Sequence, residues 1–258
     1  VREFAVTLVR ENYLDFGPTF AAEKLSEDHG LKVSRETLRK WMQDAGIWLS
    51  RKQRRTFHQP RLRRECYGEL IQIDGSDHRW FEDRAEETCC LMSMVDHATK
   101  TTYAFLSEQE TTESAMRLLW GWIQRYGIPI SLYSDQNNVY ITDREPTLEE
   151  QLAGIEPMTA FGKACETLGI EIISAYSPKA KGRVERRHGV FQDRFVKELR
   201  LQGISGIDLA NDVLEGGFLE DLNRRFTVPA IDPQDAHVKL HKRVDLRTIF
   251  CFEETRTV

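Results

Sequence analysis

The chain has 258 residues, of which 40% are hydrophobic and 30% charged, enough for one sizeable core and a smaller second domain. Its five cysteines include no C-x-x-C pair, which argues against a zinc framework or a disulfide scaffold and for reduced, buried thiols. No apolar run approaches the roughly 20 residues of a membrane span, and the start, Val1-Arg2-Glu3-Phe4, reads as neither a signal peptide nor an initiating Met, so the chain is expected to be a cytoplasmic piece of something longer.

The net charge of −5 hides a division. Residues 1–64 hold 14 Lys/Arg against 8 Asp/Glu, and the remainder holds 22 against 33. A basic front and an acidic body place the expected nucleic-acid contacts mainly in the front. Residues 3–12 and 18–28 have helical spacing of apolar residues, and Gly17-Pro18 is a good helix start. Gly30 ends the second helix and Ser34 caps a third, with Glu36 in its first turn. There Leu38, Trp41, Met42 and Ala45 share one face, whereas Arg35, Arg39, Lys40 and Gln43 fall away from it. Two helices joined by a tight turn, the second with a basic outer face, read as a helix-turn-helix. Residues 51–64 carry seven basic residues and no acid, among them Arg51, Lys52, Arg54 and Arg55. Such a run can track DNA phosphates.

From residue 69 the pattern changes. Leu70–Gly75, Thr88–Asp96 and Thr101–Leu106 read as three antiparallel strands. Thr111–Tyr126 is an amphipathic helix, Ile130–Ser134 a short buried strand, 147–168 helical and Ile170–Ser174 another buried strand. Helices are expected over about 182–200 and 207–225. Strands followed by alternating helices and strands predict a mixed sheet with helices on both faces.

Three acids organise the chain. Asp74 and Asp135 close apolar strands, and ligand sites gather at such strand ends. Glu185 falls in the long helix, beside the stripe Val184, Phe191, Phe195 and Leu199 and away from Arg183, Arg187 and Arg194. Carboxylates brought together repel unless a cation shares them. Oxygen ligands suit Mg²⁺ or Mn²⁺, and two such ions about 4 Å apart support in-line displacement at phosphorus without a protein nucleophile. Lys179 and Lys181, just before the helix, could clamp phosphates. Asp96 reads as a turn residue, His188 as a packing residue, and Trp80 and Phe81 as hairpin packing.

At these residues the sequence resembles the superfamily of DDE transposases and retroviral-type integrases, and most nearly the bacterial insertion-sequence transposases of the ISNCY kind. The motifs are Ile73-Asp74-Gly75-Ser76, Val95-Asp96-His97-Ala98-Thr99, Tyr133-Ser134-Asp135 and the run from Ser177 through Gly182-Arg183-Val184-Glu185-Arg186, supported by Gln192–Arg200, Asn223–Phe226 and Asp235-Ala236-His237. Together they cover about 69–240, and Ser34–Met42 extends the likeness forward.

The resemblance implies an α/β fold. A ribonuclease-H-like mixed sheet flanked by helices is expected over 67–204, with an insertion near 142–159. A small all-α helix-turn-helix domain precedes it over 1–48, with a basic linker over 49–66. A C-terminal helix and the start of a β domain are expected over 205–258, with Arg247–Phe252 as the first strand. The resemblance further implies Asp74, Asp135 and Glu185 as catalytic metal ligands and two Mg²⁺ ions, with Mn²⁺ as a substitute. The implied reaction is cleavage at transposon ends followed by 3′-hydroxyl attack on target DNA, performed by at least a dimer in a nucleoid-associated complex without a membrane partner. Two alternatives stay open: a transposase-derived DNA-binding repressor, and a metal nuclease that cuts without joining. Forty-nine residues separate Asp135 from Glu185, and Asn137 stands where close relatives often carry His.

Overall fold

The computed structural model describes residues 1–48, 63–154, 156–174 and 182–252. The chain forms two compact units, Val1–Arg61 and Leu62–Val258. In the first, helices α1 (Arg2–Asn12), α2 (Pro18–His29) and α3 (Arg35–Asp44) enclose a small core of Val9, Phe16, Phe20, Leu25, Leu38 and Met42. Phe16 and Phe20 stack with ring centroids 4.9 Å apart. Gly30 takes the left-handed conformation that stops α2 (φ 63°), and the Ser34 hydroxyl accepts the Thr37 N–H at 3.1 Å to start α3. Of the basic face expected on α3, Arg35 and Lys40 are exposed. Arg39 is turned back on its own helix, donating to Glu36 Oε1 and to Gln43 Oε1, both at 2.6 Å.

The second unit is built on strands β1 (Leu70–His78), β2 (Cys89–Asp96), β3 (Thr102–Ser107), β4 (Ser131–Ser134) and β5 (Glu171–Ser174), ordered β3-β2-β1-β4-β5. β2 and β3 run antiparallel in hairpin succession from β1, whereas β4 and β5 join in parallel. This is the ribonuclease-H-like arrangement. Alternation assigns the two faces. Ile71, Ile73, Met92, Met94 and Tyr103 lie under α4 (Thr112–Tyr126), where Gly121 leaves room for the Tyr103 ring. Gln72, Asp74, Ser93 and Val95 lie on the face that carries α7 (Gly182–Leu201). The free edge of β3 is closed by two asparagines. Asn211 bonds both the N–H and the carbonyl of Leu106, and Asn223 does the same for Thr102. That pairing protects an otherwise open edge.

Several expectations are corrected. The helix expected over 147–168 is two, α5 (Leu148–Ala153) and α6 (Ala160–Thr167). Gly154 ends α5 in the left-handed region, and Thr159 recaps α6 through the Gly162 N–H. The expected insertion thus includes a helix, fixed by a Thr147–Glu150 capping box and by Arg144 on Glu150 at 2.7 Å. The helix over 207–225 is interrupted. α8 (Ile207–Val213) and α9 (Leu219–Phe226) flank a π turn over Leu214–Phe218, where Gly217 takes a φ of 137°. Arg247–Phe252 contains no strand. Asp245 caps a short helix, α10 (Leu246–Ile249), by accepting the Arg247 N–H, and Leu246 buries its side chain in the main core. Leu214, Leu219, Leu222 and Leu246 of this stretch join the main core.

Among the described residues no helix is long and apolar enough to cross a membrane. Cys89, Cys90 and Cys165 are buried thiols, as expected, while Cys251 is exposed.

Candidate active site

Asp74 sits in the middle of β1, not at its end, because the strand runs on to His78 in pairing with β2. The parallel ladder is what ends here: its last pair is Gln72 with Tyr133. Asp135 follows β4 directly, and both it and Asp74 act on the same buried phenol, Tyr140. The Asp74 side chain belongs to the face that carries α7.

α7 is pinned to that face at two points. The Val184 N–H donates to the Gln72 side chain at 3.0 Å. One turn later the buried His188 places Nε2 2.8 Å from the Ser93 hydroxyl and Nδ1 3.9 Å from Asp74 Oδ2. His188 thus packs, as expected, and also meets the first acid. Glu185 stands in the first turn between these two pins, where the helix dipole favours a carboxylate, and is exposed. Arg187 and Arg194, expected to face away, are buried with their guanidinium groups over the Phe226 ring.

A further acid enters that sequence patterning did not mark. Glu110, between β3 and α4, accepts the Tyr140 hydroxyl at 2.7 Å. Gly75 admits it, since a Cβ there would lie 2.8 Å from Glu110 Oε2 and from Cys90 Sγ. Burial first, then Glu110, Asp74 and Asp135, push the Tyr140 hydroxyl well above its ordinary pKa. One buried phenol therefore feels all three carboxylates at this end of the sheet. Asn137 donates its N–H to Asp135 Oδ1 at 3.2 Å and accepts that of Val139, so it shapes the turn after β4.

Asp96 lies toward the opposite end of the sheet. Its carboxylate accepts the Thr99 N–H and hydroxyl and the Gly68 N–H, so it is a turn residue. Trp80 and Phe81 are buried as packing residues.

Carboxylate oxygens are the donor set that hard divalent cations take. Asp74 and Asp135 fit such a role by chemistry. Among the described residues, however, no three acidic, His or Cys side chains already stand together as a metal site, and Glu185 is exposed. Arg51, Lys52, Arg54, Arg55, Lys179 and Lys181 lie outside the described residues.

No protein-family model matches the chain. Its curated relatives include y4bF of Sinorhizobium fredii, which bears the name of a transposase and is 49% identical over 260 residues, 100% of this chain and 55% of its own. The transposase for insertion sequence IS1202 of Streptococcus pneumoniae is 28% identical over 240 residues, 79% of this chain and 50% of its own. The chain spans about half the length of these relatives. Among solved structures, the HTLV-2 integrase catalytic core in complex with magnesium covers 59% of this chain and 86% of that one, at 16% identity and a TM-score of 0.44.

Proposed function

The chain is a homologue of bacterial proteins named transposases, and on that premise we propose that it is the catalytic portion of a metal-dependent DNA transposase, cutting at transposon ends and joining the freed 3′-hydroxyl to target DNA. One observation supports the reading: Asp74 and Asp135 both act on the buried Tyr140 phenol, at the sheet face to which α7 is pinned by Gln72 and Ser93 on either side of Glu185. Like charges so placed gain from a shared cation. Asp74, Asp135 and Glu185 are assigned as ligands of two Mg²⁺ ions, which Mn²⁺ can replace. Such ions, when bound, polarise the attacked phosphodiester and favour the attacking oxygen.

The chain's own residues fix the frame. Ser93 holds the His188 ring, so α7 keeps its register on β1 and β2. Tyr140 holds Glu110 behind the strand acids. Arg35 and Lys40, exposed on α3, are assigned to DNA phosphates, with Arg39 and Gln43 beside them. Arg51, Lys52, Arg54, Arg55, Lys179 and Lys181 keep that assignment from sequence. The partner is double-stranded DNA, end and target, and the working form is at least a dimer on it.

The test is nicking and joining of end-bearing DNA in Mg²⁺ or Mn²⁺. Wild type should do both, and Asp135→Ala should lose both while still binding ends. Full strand transfer by Asp135→Ala would remove the second acid from the assignment. The exposure of Glu185, outside any assembled metal group, favours a second reading, a DNA-binding relative without catalysis. End binding with neither Mn²⁺ uptake by calorimetry nor cleavage would establish it.

A further inference from the structure

The far flank of α7 carries a second feature. Arg183, Arg186 and Arg187 line a cavity of about 150 Å³ together with Lys100, which comes from the β2–β3 turn. Val95, Val190 and Phe226 give it an apolar lining. Lys100 sits in the left-handed region (φ 67°), and its carbonyl accepts from Arg187 at 2.9 Å, which ties the turn to the helix. The Arg187 guanidinium lies 5.3 Å from the Phe226 ring centroid. Arg186 donates to the Gly182 carbonyl. Among the described residues, no carboxylate forms an ion pair with any of the four.

Long cationic side chains do cover apolar surface with their stems, and that would account for one or two of them. It does not account for four cationic side chains from two separate elements lining one cavity. Their crowding is felt. Burial first, then Arg183, Arg63, Arg187 and Arg186, lower the Lys100 ammonium pKa. An oxyanion would relieve the repulsion and match guanidinium geometry with paired hydrogen bonds. Val95 also lies on the same face of β2 as Ser93, two residues or about 7 Å along the strand, so the cavity and the Ser93–His188 contact belong to one face of the sheet.

We propose that this cavity binds a backbone phosphate of DNA, anchoring the strand beside the acidic site on the opposite flank of α7. The proposal rests on the reading of the chain as a DNA transposase. It makes Arg183, Arg186 and Lys100 positioning residues that do not touch the scissile bond.

The experiment uses the full chain and a short fluorescein-labelled duplex of arbitrary sequence, with anisotropy followed across a salt series. The double variant Arg183→Gln/Arg186→Gln leaves buried Arg187 in place. Lys100→Asn, whose new side chain tolerates the left-handed backbone, removes a cation from the other element. Each should weaken binding and lower the slope of log affinity against log salt by about 1, the signature of a lost phosphate contact. Arg186→Lys should retain the slope. Inorganic phosphate is tested in parallel by thermal shift. Slopes unchanged in both variants would overturn the proposal. So would phosphate stabilising wild type and not the double variant while the DNA slopes stay equal, since the cavity would then serve free anions. A wild type that cleaves and joins DNA while the variants bind as it does sinks this inference alone; a wild type that binds no duplex sinks the transposase reading too.

Discussion

Asp96 and Asp74 occupy neighbouring strands of one sheet, and their surroundings are opposite. Asp96 is fully buried, and the fold supplies its carboxylate with donors from Thr99 and Gly68. Burial still raises its pKa, because those hydrogen bonds offset only part of the lost hydration. Asp74, its side chain 13% exposed, acts on the buried Tyr140 phenol together with Asp135 and Glu110, and Glu110 lies close behind Gly75. One end of the sheet answers its buried acid with backbone and hydroxyl donors. The other end brings acids together. Asp96 is held by the donors of its own turn, whereas Asp74, Asp135 and Glu110 share one buried neighbour, the Tyr140 phenol.

The sharpest way to break this comparison is to neutralise one acid at each end. Asp135→Asn should cut DNA cleavage by roughly a thousandfold, about 4 kcal/mol of barrier, and leave the urea midpoint where it was. Asp96→Ala should do the reverse. Stripping two N–H groups and a hydroxyl of a buried charged acceptor should cost about 3 kcal/mol of stability, while molecules that remain folded keep cleaving. Unfolding of Asp135→Asn, or a stable but inactive Asp96→Ala, would show that the two ends had been assigned the wrong way round.

Much of this was legible in the residues. The apolar strands, the acids that follow them and the glycine stop of α2 are local signals, and the sheet order follows from how such elements connect. Asp96 was readable as a turn residue because Thr99 follows it at turn spacing. Glu110 and Tyr140 were not readable. They are 30 residues apart and meet only because β1, β4 and α4 pack as they do. The C-terminal strand was misread because Ile249, Phe250 and Phe252 look like strand residues locally, whereas the Asp245 cap and the fit of Leu246 into the core decide for a helix turn. Arg187 and Arg194 were misplaced for a related reason. The helical wheel turned them away from the sheet, and it carries no trace of Phe226, whose ring takes them in.

Acid should find the Asp96 end next. Burial, then Arg183 and Arg64, lower the pKa of His97 to about 4 from its ordinary 6.5. The unfolded chain therefore takes up this proton near pH 6.5, and the folded chain resists it until about pH 4. Stability from this group is complete above pH 6.5 and is lost as pH falls through that window. The structural cause is visible: His97 Nδ1 accepts the Arg64 N–H at 3.0 Å and cannot do so once protonated. The urea midpoint of wild type should fall between pH 6.5 and 4.5. His97→Asn, which retains an acceptor and cannot titrate, should fall less. Parallel curves would remove His97 as the cause.

The smallest effect tests whether Glu110 belongs with Asp96 or with Asp74. Tyr140→Phe removes the donor that holds Glu110 and should cost about 1–2 kcal/mol, as for a hydrogen bond to a charged acceptor. Glu110→Gln keeps an acceptor for the Tyr140 hydroxyl and removes one negative charge from the crowded end. If Glu110 is a satisfied structural acid, the two variants should lose similar stability. If it is one of the acids the fold sets against each other, Glu110→Gln should be neutral or slightly stabilising, because relief of repulsion from Asp74 and Asp135 offsets the weaker hydrogen bond. A double-mutant cycle across the pair separates the cases, since the two residues touch and their effects should not add. The second outcome is the expected one: the phenol that holds Glu110 also feels Asp74 and Asp135, so the three acids share one buried neighbour.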